Sequence, residues 1–192
     1  MDDTIRIFID RILKAGNADV RQCAWHEAGH RFFWKALFPD ISTRYGIRDG
    51  LPCVLRNDGA HSLKIADMTI EDASRYIYIK LGGIAAEMTM LGQDSDAQID
   101  QIADFVVSDY YNTEASRLDW KDDSEHGGDI PEAFRLIGGK VGWSKENIRA
   151  NFAAVLKSCV KNIKANKAEF DAEVAEATAL FRQWREMGLL EV

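Results

Sequence analysis

The chain has 192 residues, 46% hydrophobic and 29% charged, a balance that fills one ordinary core and excludes wholesale disorder. Its net charge of −7 disfavours a nucleic-acid partner, and no apolar run approaches the roughly 20 residues needed to cross a bilayer. Three cysteines, at 23, 53 and 159, share no paired spacing, which fits reduced thiols in a cytoplasmic protein better than a disulfide framework.

Met1-Asp2-Asp3 is acidic and does not read as a secretory leader. Ile5, Phe8, Ile9, Ile12 and Leu13 recur at helical spacing, so a first amphipathic helix is expected over Thr4 to Ala15. A second is expected from Asp19 to Leu37, stopped by Pro39. Next come three strand-like runs, Arg44-Tyr45-Gly46-Ile47, Pro52-Cys53-Val54-Leu55 and Ser62-Leu63-Lys64-Ile65. The turn signals Asp49-Gly50 and Asn57-Asp58-Gly59 separate them, and a sheet of two or three strands follows. Helix resumes at Thr69, which pairs with Asp72 in a capping pattern, and extends to Leu91. Gly82-Gly83 inside that helix costs about 1 kcal/mol per glycine against alanine. The pair marks either a break or a place where another backbone or a ligand comes close.

A further helix is expected over Ala97 to Leu118, then a polar loop from Asp119 to Asp129. That loop holds Asp122-Asp123, His126 and Gly127-Gly128, and its glycines suit a lid. A short helix near Pro131 to Ile137 precedes a long helical stretch that Ser144 caps, interrupted near Asn166 and ending at Gly188. Lys157, Lys161, Lys164 and Lys167, followed by Glu169, Asp171, Glu173 and Glu176, read as a solvated helix face. His61 and His126 read as surface or turn histidines. The whole is a mainly helical α+β fold in a single domain over 1–192. Residues 1–18 form its N-terminal helix, 19–118 its core and 131–192 its C-terminal helices.

The chemistry concentrates in His26-Glu27-Ala28-Gly29-His30. Residues four apart share a helix face, so His26 and His30 present two imidazoles side by side, a spacing that suits one zinc ion. Glu27 points to the flank of that face, placed to take a proton from a water that the metal activates. The alternative is a pair of packed, hydrogen-bonded histidines on an amphipathic helix. With 4 histidines in the chain, this pattern arises by chance in roughly one such sequence in 200. Cys23, one turn earlier, reads as a small buried thiol. Trp25, Phe32, Phe33 and Trp34 read as residues that pack the helix into the core.

His26-Glu27-Ala28-Gly29-His30, followed by Leu81-Gly82-Gly83-Ile84-Ala85-Ala86-Glu87 and an acidic helix start, resembles the peptidase domain of the membrane-bound AAA proteases of the FtsH type. The resemblance covers roughly residues 20 to 190 and is sharp only at 26–30 and 81–87. It implies that His26 and His30 bind zinc, that Glu27 is the general base, and that an aspartate at the start of the next helix is the third ligand. Asp100 is the expected residue, with Asp94 and Asp96 competing. It also implies that Gly82-Gly83 lets two helices pack closely. Glu87 is expected either to orient a ligand histidine or to be a surface carboxylate.

No G-x-x-x-x-G-K-[ST] occurs, and no membrane anchor is read. The expectation is therefore a cytoplasmic metallopeptidase with one Zn²⁺ per chain, acting without ATP on flexible or unfolded polypeptides. Its partners would be a peptide or protein substrate and no nucleic acid or membrane, with a homo-oligomer or an ATPase in trans as further possibilities. The competing reading is a catalytically silent module that keeps the fold for regulation or protein binding.

Overall fold

The structure is a computed structural model that describes residues 19–57, 68–111, 128–142 and 144–191. The expected first helix, His61, the Ser62–Ile65 run and the polar loop with Asp122, Asp123, His126 and Gly127 lie outside the described residues.

Asp19 accepts the backbone N–H of Gln22 at 2.8 Å and so caps α1 (Val20–Leu37). Two short strands follow, β1 (Thr43–Arg48) and β2 (Leu51–Arg56), paired antiparallel with Tyr45 opposite Val54. Asp49 and Gly50 join them with φ of 52° and 75°, the pair of positive angles of a type I′ hairpin turn. Thr69 Oγ1 accepts from the Asp72 N–H and opens α2 (Ile70–Leu91), which runs unbroken through Gly82-Gly83 and closes on Gly92 at φ 67°. Ser95 and Gln98 form a capping box at the start of α3 (Asp96–Tyr110). Next come α4 (Asp129–Val141), α5 (Lys145–Ala165), capped by Ser144, and α6 (Lys167–Glu186). The chain is thus mainly helical, with a small two-stranded sheet between helices.

The helices assemble around α2. One side of it packs on α1, another on α4 and α5, so Tyr76, Ile77, Leu81, Ile84 and Met88 are buried along nearly its whole circumference. An apolar surface on all sides is what a central helix needs. On the far side of α1 lies α6, and α3 packs on α5. Phe32, Phe33 and Trp34 are buried, while Trp25 meets Phe170 of α6 edge-on at 5.4 Å.

The charged residues over 157–176 are mostly solvated, as expected, and one of them, Glu173, departs from that reading. Lys157 and Lys164 pair with Asp100 at 2.9 Å and Asp94 at 2.7 Å, tying α5 to α3 and its lead-in. Glu173 is buried. It takes Arg31 Nη1 at 3.1 Å, Lys35 and the Tyr45 hydroxyl, and Arg31 also lies over the Tyr45 ring. The spacing of charges along α6 shows an acidic helix; only the packing of α6 on α1 and β1 shows that one acid faces inward. No helix among the described residues is long and apolar enough to cross a membrane.

Candidate metal centre

The motif occupies the middle of α1, where the four-residue spacing stacks His26 and His30 on the face turned to α2. Their Nε2 atoms stand 2.9 Å apart. Each ring is oriented through its other nitrogen. His26 Nδ1 donates to Glu87 Oε1 at 2.6 Å, and His30 Nδ1 donates to the Ile79 carbonyl at 2.6 Å. Both partners lie on α2, so one helix supplies the pair and its neighbour fixes the tautomer of each ring. Glu87 is buried rather than a surface carboxylate, and its other oxygen accepts from the Gln22 side chain.

Gly82 and Gly83 explain how two helices come this close. A Cβ on Gly82 would sit 2.6 Å from the Phe33 ring and 2.8 Å from the Gly29 carbonyl oxygen. One on Gly83 would sit 2.7 Å from His26 Nε2 and 2.8 Å from His30 Nε2. These glycines therefore stand where backbone and imidazoles need the space, and they do not break the helix.

The carboxylate that closes the site is Asp129, the first residue of α4. Its Oδ2 lies 3.1 Å from His26 Nε2 and 3.0 Å from His30 Nε2. The three aspartates singled out from the sequence lie elsewhere. Asp100, in the second turn of α3, is held by Lys157; Asp94 is held by Lys164; Asp96 is an exposed first residue of α3. The face of α3 that bears Asp100 turns to α5 and not to α1. Asp129 is about a hundred residues from the histidines in sequence, and no local spacing links it to them. The sequence signal for it is faint: a lone acid between Gly128 and Ile130-Pro131, heading a helix whose inner face is apolar.

Lys80 also belongs to the site. Its ammonium, buried on α2, reaches Asp129 Oδ1 at 3.4 Å and Glu132 Oε2 at 2.7 Å, and lies 5.3 Å from the centre of the Tyr76 ring. Glu27 lies beside the imidazole pair, on the side of the hairpin, where it accepts the backbone N–H of Val54. A cavity of about 170 Å³ opens there, lined among others by Glu27, His30, Trp34, Tyr76, Lys80 and Asp129.

The charges are mutually adjusted. Burial opposes a charged carboxylate at Asp129, yet His30 and Lys80 outweigh it and hold this group well below the usual carboxylate range. Burial likewise opposes a charged His26, but Asp129 and Glu87 hold it well above its ordinary value. Glu27 moves the other way: burial pushes it up, against the pull of His30 and His26. Burial also raises the Cys23 thiol to about 11, the state of a packed thiol rather than a ligand.

The donor set fits a zinc ion. Ligands at about 2.0–2.1 Å in a tetrahedron stand roughly 3.3 Å apart, close to the 2.9, 3.0 and 3.1 Å between these three donor atoms. Two imidazoles with their Nδ1 atoms already occupied, plus one carboxylate, are three protein ligands of the kind found where a fourth position serves chemistry. His26, Glu27 and His30 also have donor atoms within 4.8 Å of one another, so Glu27 stands beside the group.

No family model, no curated protein and no solved structure matches this chain.

Proposed function

We propose that this chain is a zinc-dependent metallopeptidase related to the FtsH-type peptidase domain. In this reading His26, His30 and Asp129 hold one Zn²⁺ and Glu27 is the general base. The observation that carries the reading is the convergence of His26 Nε2, His30 Nε2 and Asp129 Oδ2 on one point. Zinc held there supplies a Lewis acid that polarises a carbonyl and lowers the pKa of a water toward about 7.

The chain's own residues do the rest. Glu87 and the Ile79 carbonyl keep both imidazoles in the tautomer that leaves Nε2 free. Glu27, at the cavity wall and shifted up by burial, takes a proton from the attacking water and passes it to the leaving amine. Trp34 and Tyr76 supply buried aromatic walls to the cavity beside Glu27. The substrates in this reading are flexible or unfolded polypeptides.

The test begins with metal content. Protein purified without chelator should carry about one zinc per chain. Glu27→Gln should keep that zinc and lower hydrolysis of an unfolded fluorescent casein by about 10²–10⁴-fold, the usual contribution of a general base. Asp129→Ala should lose the metal while Asp100→Ala keeps it. Zinc retained by Asp129→Ala and lost by Asp100→Ala would instead restore the third ligand that the family pattern implies. Wild-type protein without metal, and unable to take it up at neutral pH, would sink the enzyme reading.

A further inference from the structure

We propose that Lys80 is the positioning residue of this centre: it fixes the Asp129 carboxylate so that Oδ2 alone turns to the two imidazoles. The inference rests on the metal-site reading above and adds a residue that the motif does not contain.

A buried ammonium beside a cation site is unfavourable unless it is paired, since like charges repel strongly in a medium of low polarisability. Lys80 is 5% exposed and has two carboxylate partners, both from the first turn of α4. Asp129 and Glu132 lie one turn apart there, at the helix end where the backbone dipole favours negative charge. The ammonium sits between them. It neutralises Glu132, which would otherwise be a second free acid close to the donors, and it occupies Oδ1 of Asp129. That leaves Asp129 a single oxygen to offer.

The arrangement on α2 is coherent. Ile79 orients His30, Lys80 orients Asp129, Gly83 gives both imidazoles room, and Glu87 orients His26. These positions recur at about one helical turn, so one face of α2 sets the angles of all three donors. The N-cap of α4 is Gly128, which has no side chain to bond the first turn, so the contacts of Lys80 with Asp129 and Glu132 hold this helix end to α2. Lys80 ties the two acidic side chains of that first turn to α2 and at the same time aims a ligand.

A merely structural tie between α2 and α4 predicts lost stability without a change in the metal's surroundings, and cobalt separates the two cases. Full-length wild type, Lys80→Met, Lys80→Arg and the double variant Lys80→Met with Glu132→Gln would be titrated with Co²⁺. Its d–d absorption and competition with a chromophoric chelator give the spectrum and the affinity. Lys80→Met should bind cobalt about 10–100-fold more weakly, the range seen when a group orienting a ligand is lost, with an altered d–d band. Lys80→Arg should recover much of the affinity. The double variant rebalances the charge and keeps the fold accessible if the single variant does not fold; it should still show the weak binding and the altered band. Wild-type affinity and spectrum in Lys80→Met, or in the double variant, would overturn the role of Lys80 while leaving the metal site intact. A wild type that takes up no cobalt would overturn the site and this role together.

Discussion

Gly83 carries the steric constraint that bears most directly on the donors, because a side chain there would press on both Nε2 atoms. Gly83→Ala sets two effects against each other. Alanine favours an exposed helix interior by about 1 kcal/mol, whereas its methyl must displace the imidazoles or the helix. The expected outcome is a chain with undiminished helical content by circular dichroism and zinc affinity lowered by at least about 10-fold, on the scale of a lost orienting group. Unchanged affinity would mean that α2 slides away without disturbing the donors. At this scale the sequence was informative wherever chemistry is local. The four-residue spacing of His26 and His30 dictates one face, and the glycine pair narrows the choice to a break or a close approach, which packing decides. Asp129 was not legible, because a contact across 99 residues depends on how α4 docks and not on any neighbouring residue. Lys80 stayed hidden for the same reason: on α2 it reads as one cation amid apolar residues, and its partners are a helix away.

The elements show which local rules survive packing. The caps read from the sequence, Thr69 and Ser144, both open helices, and Asp19 and Ser95 do the same for α1 and α3, since a side chain three residues from a free N–H needs no tertiary help. Asp49-Gly50 likewise sets the hairpin turn by itself. The pairing of α1 with α6 is different, for beside the aromatic contacts of Phe170 it encloses Glu173 with Arg31, Lys35 and Tyr45. Removing one partner from a buried ion pair costs about 3–5 kcal/mol because the other charge is stranded. Arg31 keeps Glu176 at 2.7 Å and Lys35 is half in solvent, so the cost falls below that range. Glu173→Gln should therefore destabilise the fold by about 2 kcal/mol, read as a loss in urea unfolding, and lower Tm by about 4–8 °C. A change below about 0.5 kcal/mol would mark the network as no stronger than a surface pair.

For the whole molecule, the sheet is too small to organise the fold, and the helices around α2 do so. Three of them meet at the proposed centre: α1 brings the imidazoles, α2 aims them and α4 brings the carboxylate. A cation bound only by the folded chain must raise its stability, by about 2.7 kcal/mol at a free concentration a hundred times Kd. Adding zinc should thus raise Tm by about 5–11 °C, and a chelator should reverse the gain. A melting temperature indifferent to both would speak against a site shared between separate helices.

The position of Asp129 has one more consequence, for the unfolded chain. His30 and Asp129 enclose a loop of about a hundred residues that holds the hairpin, α2 and α3. Joining the ends of such a loop removes conformational freedom that a disulfide of the same span would remove permanently, an effect of about 4–5 kcal/mol in the chain-entropy picture. Here the join is a reversible bridge between the second helix turn of the motif and the opening of α4. The three cysteines are free, so no covalent link among them shortens that span, and each folding event must close it anew.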